Sequence, residues 1–176
     1  MNELHNEIGS RQNEPEMLNV LWARKQIYRR VKRLQGWYFA FTFALPAVSL
    51  LAALYFVALK PWVSLLAIVV GASDAIFFDV WRKGMVKVAA RLQEQFDCYV
   101  LDMKWNGFAA GAKVSAQDVA EYADAPLPGV VRTKLENWYP VQSCEMPLAA
   151  ARLVCQRTNL WYDSHLRTTY QRCSGF

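Results

Sequence analysis

The sequence predicts an all-α membrane protein: an N-terminal amphipathic helix, a transmembrane helical hairpin and a small, mostly helical cytoplasmic domain. Three observations carry this. Two long apolar runs stand back to back between Trp37 and Val80. Lysines and arginines crowd both outer flanks of that block. Elsewhere, apolar residues recur at three- and four-residue steps, and no stretch of any length alternates at strand period.

The chain of 176 residues divides into a polar and basic segment (1–36), a hairpin (37–81, with spans at 37–59 and 62–81) and a domain at 82–176. Residues 1 to about 14 are polar. Pro15 then opens a helical pattern with Leu18, Leu21, Trp22, Tyr28, Val31 and Leu34 on one face and basic residues on the other. Such a helix can lie on the inner leaflet or pack on the later domain.

Trp37 to Leu59 is uncharged, and Trp62 to Phe78 carries only Asp74. A hydrocarbon core about 30 Å thick needs roughly 20 such residues in a helix. The mean hydropathy of +0.03 hides this block, because the flanking segments dilute it. The first run starts 36 residues in and lacks a small-residue cleavage site, which excludes a cleaved signal peptide. Pro46 is expected to bend the first span.

Arg24, Lys25, Arg29, Arg30, Lys32 and Arg33 precede the first span, and Arg82, Lys83, Lys87 and Arg91 follow the second. The connecting turn has Lys60 alone. By the positive-inside rule both termini are expected in the cytoplasm, with the short turn outside. The net charge of +5 comes mostly from these flanks and points to lipid headgroups rather than to a DNA or RNA polymer.

Within the second span Ala67, Gly71 and Ala75 form a small-residue stripe; Ala40 and Ala44 begin another in the first. Such stripes let helices approach closely, within one hairpin or between subunits of a homo-oligomer. Asp74 falls about 18 Å into the second helix at 1.5 Å per residue, inside the apolar zone. It is expected either to face a subunit interface or polar path, or to be neutralised against Thr42 or Ser49.

Beyond the hairpin, Met85, Val88, Ala89, Leu92, Phe96 and Tyr99 continue a helical face, broken at Trp105-Asn106-Gly107. Ser115 to Asp118 reads as a helix start running through about Tyr122. A short helix is expected to end at Trp138-Tyr139-Pro140, and Pro147 to open a long one over 147–172. Cys98, Cys144, Cys155 and Cys173 show no CxxC spacing and are expected to be reduced; with only His5 and His165, no metal site is expected. No motif for nucleophilic or phosphoryl-transfer catalysis is present, so no enzymatic activity is expected.

On the last helix Gln156, Asn159, Asp163 and Arg167 fall on one stripe, flanked by Arg157, Trp161 and Tyr170. Guanidinium groups pair with phosphate, amides read base edges and aromatic faces stack on bases. Trp105, Trp138 and Tyr139 could supply such faces, with Asn106 beside the first. The set suits a small nucleotide. The same stripe is also what an ordinary solvated helix presents, with Asp163 and Arg167 paired at i,i+4.

The segments Gln95-Phe-Asp-Cys-Tyr-Val-Leu-Asp-Met-Lys-Trp-Asn106, Trp138-Tyr-Pro140 and Cys155-Gln-Arg-Thr-Asn-Leu-Trp-Tyr-Asp-Ser-His-Leu-Arg167, in this order after a membrane hairpin, resemble the SMODS-associating four-transmembrane effector family. These are bacterial proteins placed beside cyclic-oligonucleotide synthases in anti-phage defence (CBASS) operons. The resemblance covers roughly residues 20 to 173. It implies an effector of the bacterial inner membrane with no cofactor. A cyclic di- or oligonucleotide second messenger would bind its cytoplasmic domain. Oligomerisation and disruption of the bilayer would follow, ending the infected cell's growth.

On this reading Arg157 and Arg167 would take phosphate. Gln156, Asn159 and Asn106 would contact base or ribose, Trp105, Trp138, Tyr139 and Trp161 would stack, and Asp163 would share their face. Asp74, Ala67, Gly71 and Ala75 would reorganise on assembly. The family has a second pair of spans beyond the last helix, whereas this sequence stops at Phe176, as a fragment or as a shortened variant. With two spans, membrane damage is expected to need many copies. The alternative is a membrane scaffold without a ligand, its last helix forming a protein interface.

Overall fold

A computed structural model of the chain describes residues 6–55, 58 and 60–174. Among these, every regular element is helical. The helices are α1 (Ile8–Arg11), α2 (Pro15–Tyr55), α3 (Lys60–Ser73), α4 (Asp79–Val100), α5 (Gly107–Ala110), α6 (Ala116–Ala123), α7 (Gly129–Leu135) and α8 (Leu148–Ser174). A π-helical turn at Asp74–Phe78 joins α3 to α4, and a 3-10 turn spans Val141–Glu145.

Two long rods organise everything else. The basic amphipathic segment and the first span are one helix of 41 residues, with no break at residue 36 and with Pro46 inside it. The second rod runs from Lys60 through the π turn to Val100. Each is long and apolar enough to cross a membrane, and the apolar windows are 0% buried within the chain. A core helix of a soluble protein would have those windows covered. Here Phe43, Trp62, Ile68 and Phe77 stand 76%, 69%, 69% and 71% exposed, as the lipid-facing side chains of a spanning hairpin do. The chain is an all-α membrane protein.

At the other end the rods form the spine of a helical body. Leu18, Leu21, Trp22, Ile27 and Val31 of α2 are buried there against α4 and α6. The apolar face of this segment is thus spent on protein packing, not on the lipid leaflet. From α4 come Ala89, Leu92, Phe96 and Val100, spaced three or four apart on one face. Tyr139, Ala151 and Cys155 close the core. Trp22 Nε1 donates to the Ala125 carbonyl at 2.9 Å, fixing the Pro-rich loop over the spine.

The helix boundaries refine the sequence reading. α4 ends at Val100 rather than at Trp105, because Asp102 takes a left-handed φ of 51° and is held between Arg11 and Arg152. Ser115 caps α6 as expected, its Oγ accepting from the Asp118 N–H at 3.1 Å. α7 stops at Leu135, three residues short of the predicted end, because Asn137 turns left-handed (φ 55°). Pro147 precedes α8, its carbonyl accepting from Ala151.

In the hairpin, Ala67 and Gly71 face the first span across a groove of ≈ 510 Å³, opposite Thr42, Pro46 and Ser49. A Cβ added to Gly71 would meet nothing within 4 Å, so the two spans do not touch closely there. The π turn begins at Asp74; the side chains of Asp74 and Ala75 lie outside the described residues. Tyr38 stacks on Phe78 at 5.4 Å between ring centroids, tying the first span to the π turn.

Candidate functional site: a buried carboxylate in a four-helix cleft

The chemistry of the helical body concentrates at Asp97. Its position follows from the α4 face: it adjoins Phe96, so it sits at the margin of the buried stripe, one helical turn beyond Gln93. The residue is 8% exposed. Gln93 Nε2 donates to Asp97 Oδ1 at 2.6 Å, and the Tyr139 hydroxyl donates to the same oxygen at 2.6 Å. Asn159 Nδ2 donates to Asp97 Oδ2 at 3.2 Å and to the Tyr139 oxygen at 3.0 Å.

Local structure explains how a loop tyrosine reaches that point. Asn13 and Asn137 form a reciprocal pair: Asn13 Nδ2 donates to Asn137 Oδ1 at 3.0 Å, and the Asn137 N–H donates to Asn13 Oδ1 at 2.9 Å. The Tyr139 N–H then donates to Gln12 Oε1 at 2.8 Å. The α1–α2 connection thereby pins the post-α7 loop, and the Tyr139 ring is fully buried against Phe96. Asn159 continues the face of Ala151 and Cys155 on α8, so it turns inward.

Beside this cluster opens a cleft of ≈ 620 Å³. Arg24 and Tyr28 line it from α2, Gln93 and Asp97 from α4, Asn159 and Tyr162 from α8, and Lys134, Asn137 and Trp138 from α7 and its loop. The Arg24 guanidinium carbon lies 5.6 Å from the Tyr28 ring centroid and 5.4 Å from that of Trp138. Both contacts are cation–π in geometry. Arg24 Nε and Gln93 Oε1 are buried without a hydrogen-bond partner among the described residues.

Burial pushes the Asp97 carboxyl up to about 6, against the Tyr139 and Gln93 hydrogen bonds, which favour its ionised form. The same burial, with Asp97 next to it, holds the Tyr139 hydroxyl well above its ordinary range, so it remains a donor. Because the native carboxyl is raised from 3.8, its contribution to stability is complete below about 3.8 and is lost as pH rises through about 6. Two units correspond to about 3 kcal/mol. Thermal unfolding of the detergent-solubilised protein is therefore expected to move to lower temperature between pH 4 and pH 7. Asp97→Asn should flatten that profile, and an unchanged slope in the variant would remove Asp97 as its source.

The residues singled out from sequence divide accordingly. Asn159 and Trp138 line the cleft, and Tyr139, fully buried behind it, contributes its hydroxyl to Asp97 rather than a stacking face. Gln156 is exposed and donates to Met103 Sδ at 3.5 Å, and Arg157 is exposed and does not line the cleft. Trp161 is 60% exposed, edge-on to Tyr162 at 5.1 Å. The side chains of Asp163 and Arg167 lie outside the described residues.

Trp105 and Asn106 serve a different loop. Trp105 Nε1 donates to the Gly111 carbonyl at 2.9 Å, and Asn106 caps α5 by accepting from Phe108 and Ala109. Neither lines the cleft. Arg24, Tyr28, Gln93, Asp97 and Lys134 were missed. A carboxylate adjoining an apolar helical stripe, with an amide four residues earlier, was the available signal for Asp97 and Gln93. None marked Arg24 among its basic neighbours.

A helical body built on the ends of its own two membrane rods, with a polar cleft between them, defines the class: an all-α membrane protein with a helical domain beside its hairpin. More particularly, the chain belongs to the SMODS-associating 4TM effector domain family, whose profile matches residues 6–174. A probable CBASS effector molecule of Bacillus cereus (strain VD146) is 26% identical over 87 residues. That stretch is 49% of this chain and 28% of the length of that relative. No solved structure matches the chain.

Proposed function

We propose that this chain is a membrane effector of CBASS anti-phage signalling, gated by a soluble cyclic di- or oligonucleotide that binds the cleft. The single observation that carries the reading is continuity. Two of the helices that form the cleft, α2 and α4, run on as the two membrane rods. From Arg24 to Trp37 is 13 residues of unbroken helix, about 20 Å at 1.5 Å per residue. A ligand wedged between Arg24 on one rod and Gln93 on the other sets the angle at which both enter the bilayer.

The cleft has the right chemistry for a nucleotide. Cations, amides and a carboxylate line it, and Tyr162, 56% exposed, offers an aromatic face for a base. Family membership and the printed name of the Bacillus relative support the effector role. In this reading both termini are cytoplasmic in the inner membrane. Ligand binding favours an oligomer by its differential affinity for that state, and the bilayer is disrupted.

The test is calorimetry of the detergent-solubilised protein against cyclic di- and triadenylate, cyclic diguanylate and cyclic GMP–AMP, with sedimentation before and after addition. Binding by one member together with an increase in mass is expected. Silence across the whole panel would sink the sensing reading.

One observation favours a second reading, a ligand-independent scaffold. Leu153 and Leu160, seven residues apart on α8, are 69% and 70% exposed, as a helix–helix interface would require. Constitutive oligomers lost in Leu160→Glu and indifferent to the panel would establish it instead.

A further inference from the structure

We propose that Arg24 and Lys134 together seat a phosphate of the messenger, an assignment that rests on the sensing reading above. Several cations of the helical body bond carboxylates: Arg11 bonds Glu7 and Asp102, Arg30 bonds Asp124, Arg132 bonds Glu136 and Arg152 bonds Asp102. Arg24 and Lys134, which share the cleft, have no carboxylate within 4 Å among the described residues. The nearest acid in the cleft is Asp97. Its oxygens are already engaged by Gln93, Tyr139 and Asn159, so it acts on Arg24 only through its field.

Arg24 is unlike a solvated surface arginine. Its guanidinium carbon lies 5.6 Å and 5.4 Å from the Tyr28 and Trp138 ring centroids, and its Nε is buried with no acceptor among the described residues. A guanidinium fixed in this way loses little freedom on gripping an anion and presents its remaining N–H groups as a fork that matches two phosphate oxygens. Lys134, exposed on α7 and lining the same cleft, adds a mobile point charge.

The phosphate belongs to a soluble ligand rather than to a lipid. Arg24 stands about 20 Å of helix away from the first apolar residue of the span. The headgroup layer extends only about 5–8 Å beyond the hydrocarbon on each side. A phosphate shared by Arg24 and Lys134 draws α7 toward α2, the rod that enters the membrane. Anion capture is thereby a force on the hairpin.

The experiment uses the full chain in detergent and the same panel of cyclic nucleotides. Lys134→Ala, at an exposed position, is expected to keep the unliganded melting temperature and to weaken binding about tenfold or more. Arg24→Gln, which keeps the stem over the aromatic rings, is expected to weaken binding further. Arg157→Gln, outside the cleft, should bind like the parent. Should the parent bind one of these nucleotides and both Arg24→Gln and Lys134→Ala bind it equally well, the phosphate seat is wrong while the sensing reading stands. If the parent binds none of them, the sensing reading fails and takes the seat with it.

Discussion

Tyr139→Ala is expected to lower the stability of the helical body by about 4–5 kcal/mol, and Tyr139→Phe by about 2 kcal/mol at pH 7.5. The ring is fully buried and stacks 6.1 Å from Phe96, so its removal leaves a ring-sized void in the core. Aromatic-to-alanine changes in such positions cost about 3–5 kcal/mol. The hydroxyl adds a separate part. It donates at 2.6 Å to a carboxylate with little access to water, and a hydrogen bond to a charged group is worth about 1.5–3 kcal/mol.

The two variants differ in how they respond to pH. Tyr139→Phe deprives ionised Asp97 of a donor and so raises its carboxyl further above about 6. The cost of this variant should be smaller at pH 5, where Asp97 is largely protonated, than at pH 7.5. Denaturant or thermal unfolding of the solubilised protein at both values reads this directly. An equal cost at the two values would mean that Tyr139 acts by packing alone.

Val69→Arg is expected to prevent stable membrane insertion. Val69 lies near the middle of the apolar stretch that α3 begins and is 55% exposed, facing lipid rather than the other rod. An arginine at the centre of a spanning helix costs about 2.5–3.5 kcal/mol on the insertion scale, and the favourable contribution of valine is lost as well. The informative control is Val130→Arg. Val130 is 74% exposed, but on α7 of the helical body, where water is the solvent. Substitution there should stay within about 0.5 kcal/mol. Membrane fractionation of the two variants, with equal recovery in the bilayer, would refute the assignment of the hairpin as lipid-facing.

These cases mark what was legible in the sequence. The hairpin could be read because transfer of apolar surface into lipid depends on composition over a window of about 20 residues, not on neighbours. The starts of α2 and α6 could be read because Pro15 and Ser115 act within one turn of themselves. The ends of α4 and α7 could not, since left-handed residues at Asp102 and Asn137 are held by partners distant in sequence, Arg152 and Asn13.

The site divides along the same line. Periodicity on α8 placed Asn159 with Gln156 and Arg157 on an outward polar surface, which is all a helical wheel sees. Tertiary structure turned Asn159 inward to a carboxylate 62 positions earlier and left Gln156 and Arg157 outside. It also brought Arg24, one of several basic residues ahead of the first span, into the cleft between Tyr28 and Trp138. The sequence by itself determined that the chain is helical, that it has two runs fit to span a membrane, and that its motifs resemble one family. Only the tertiary structure decided which polar residues form the cleft. Hydrophobic spacing along a helix is a local quantity, whereas desolvating a charge requires side chains from four separate segments to converge on it.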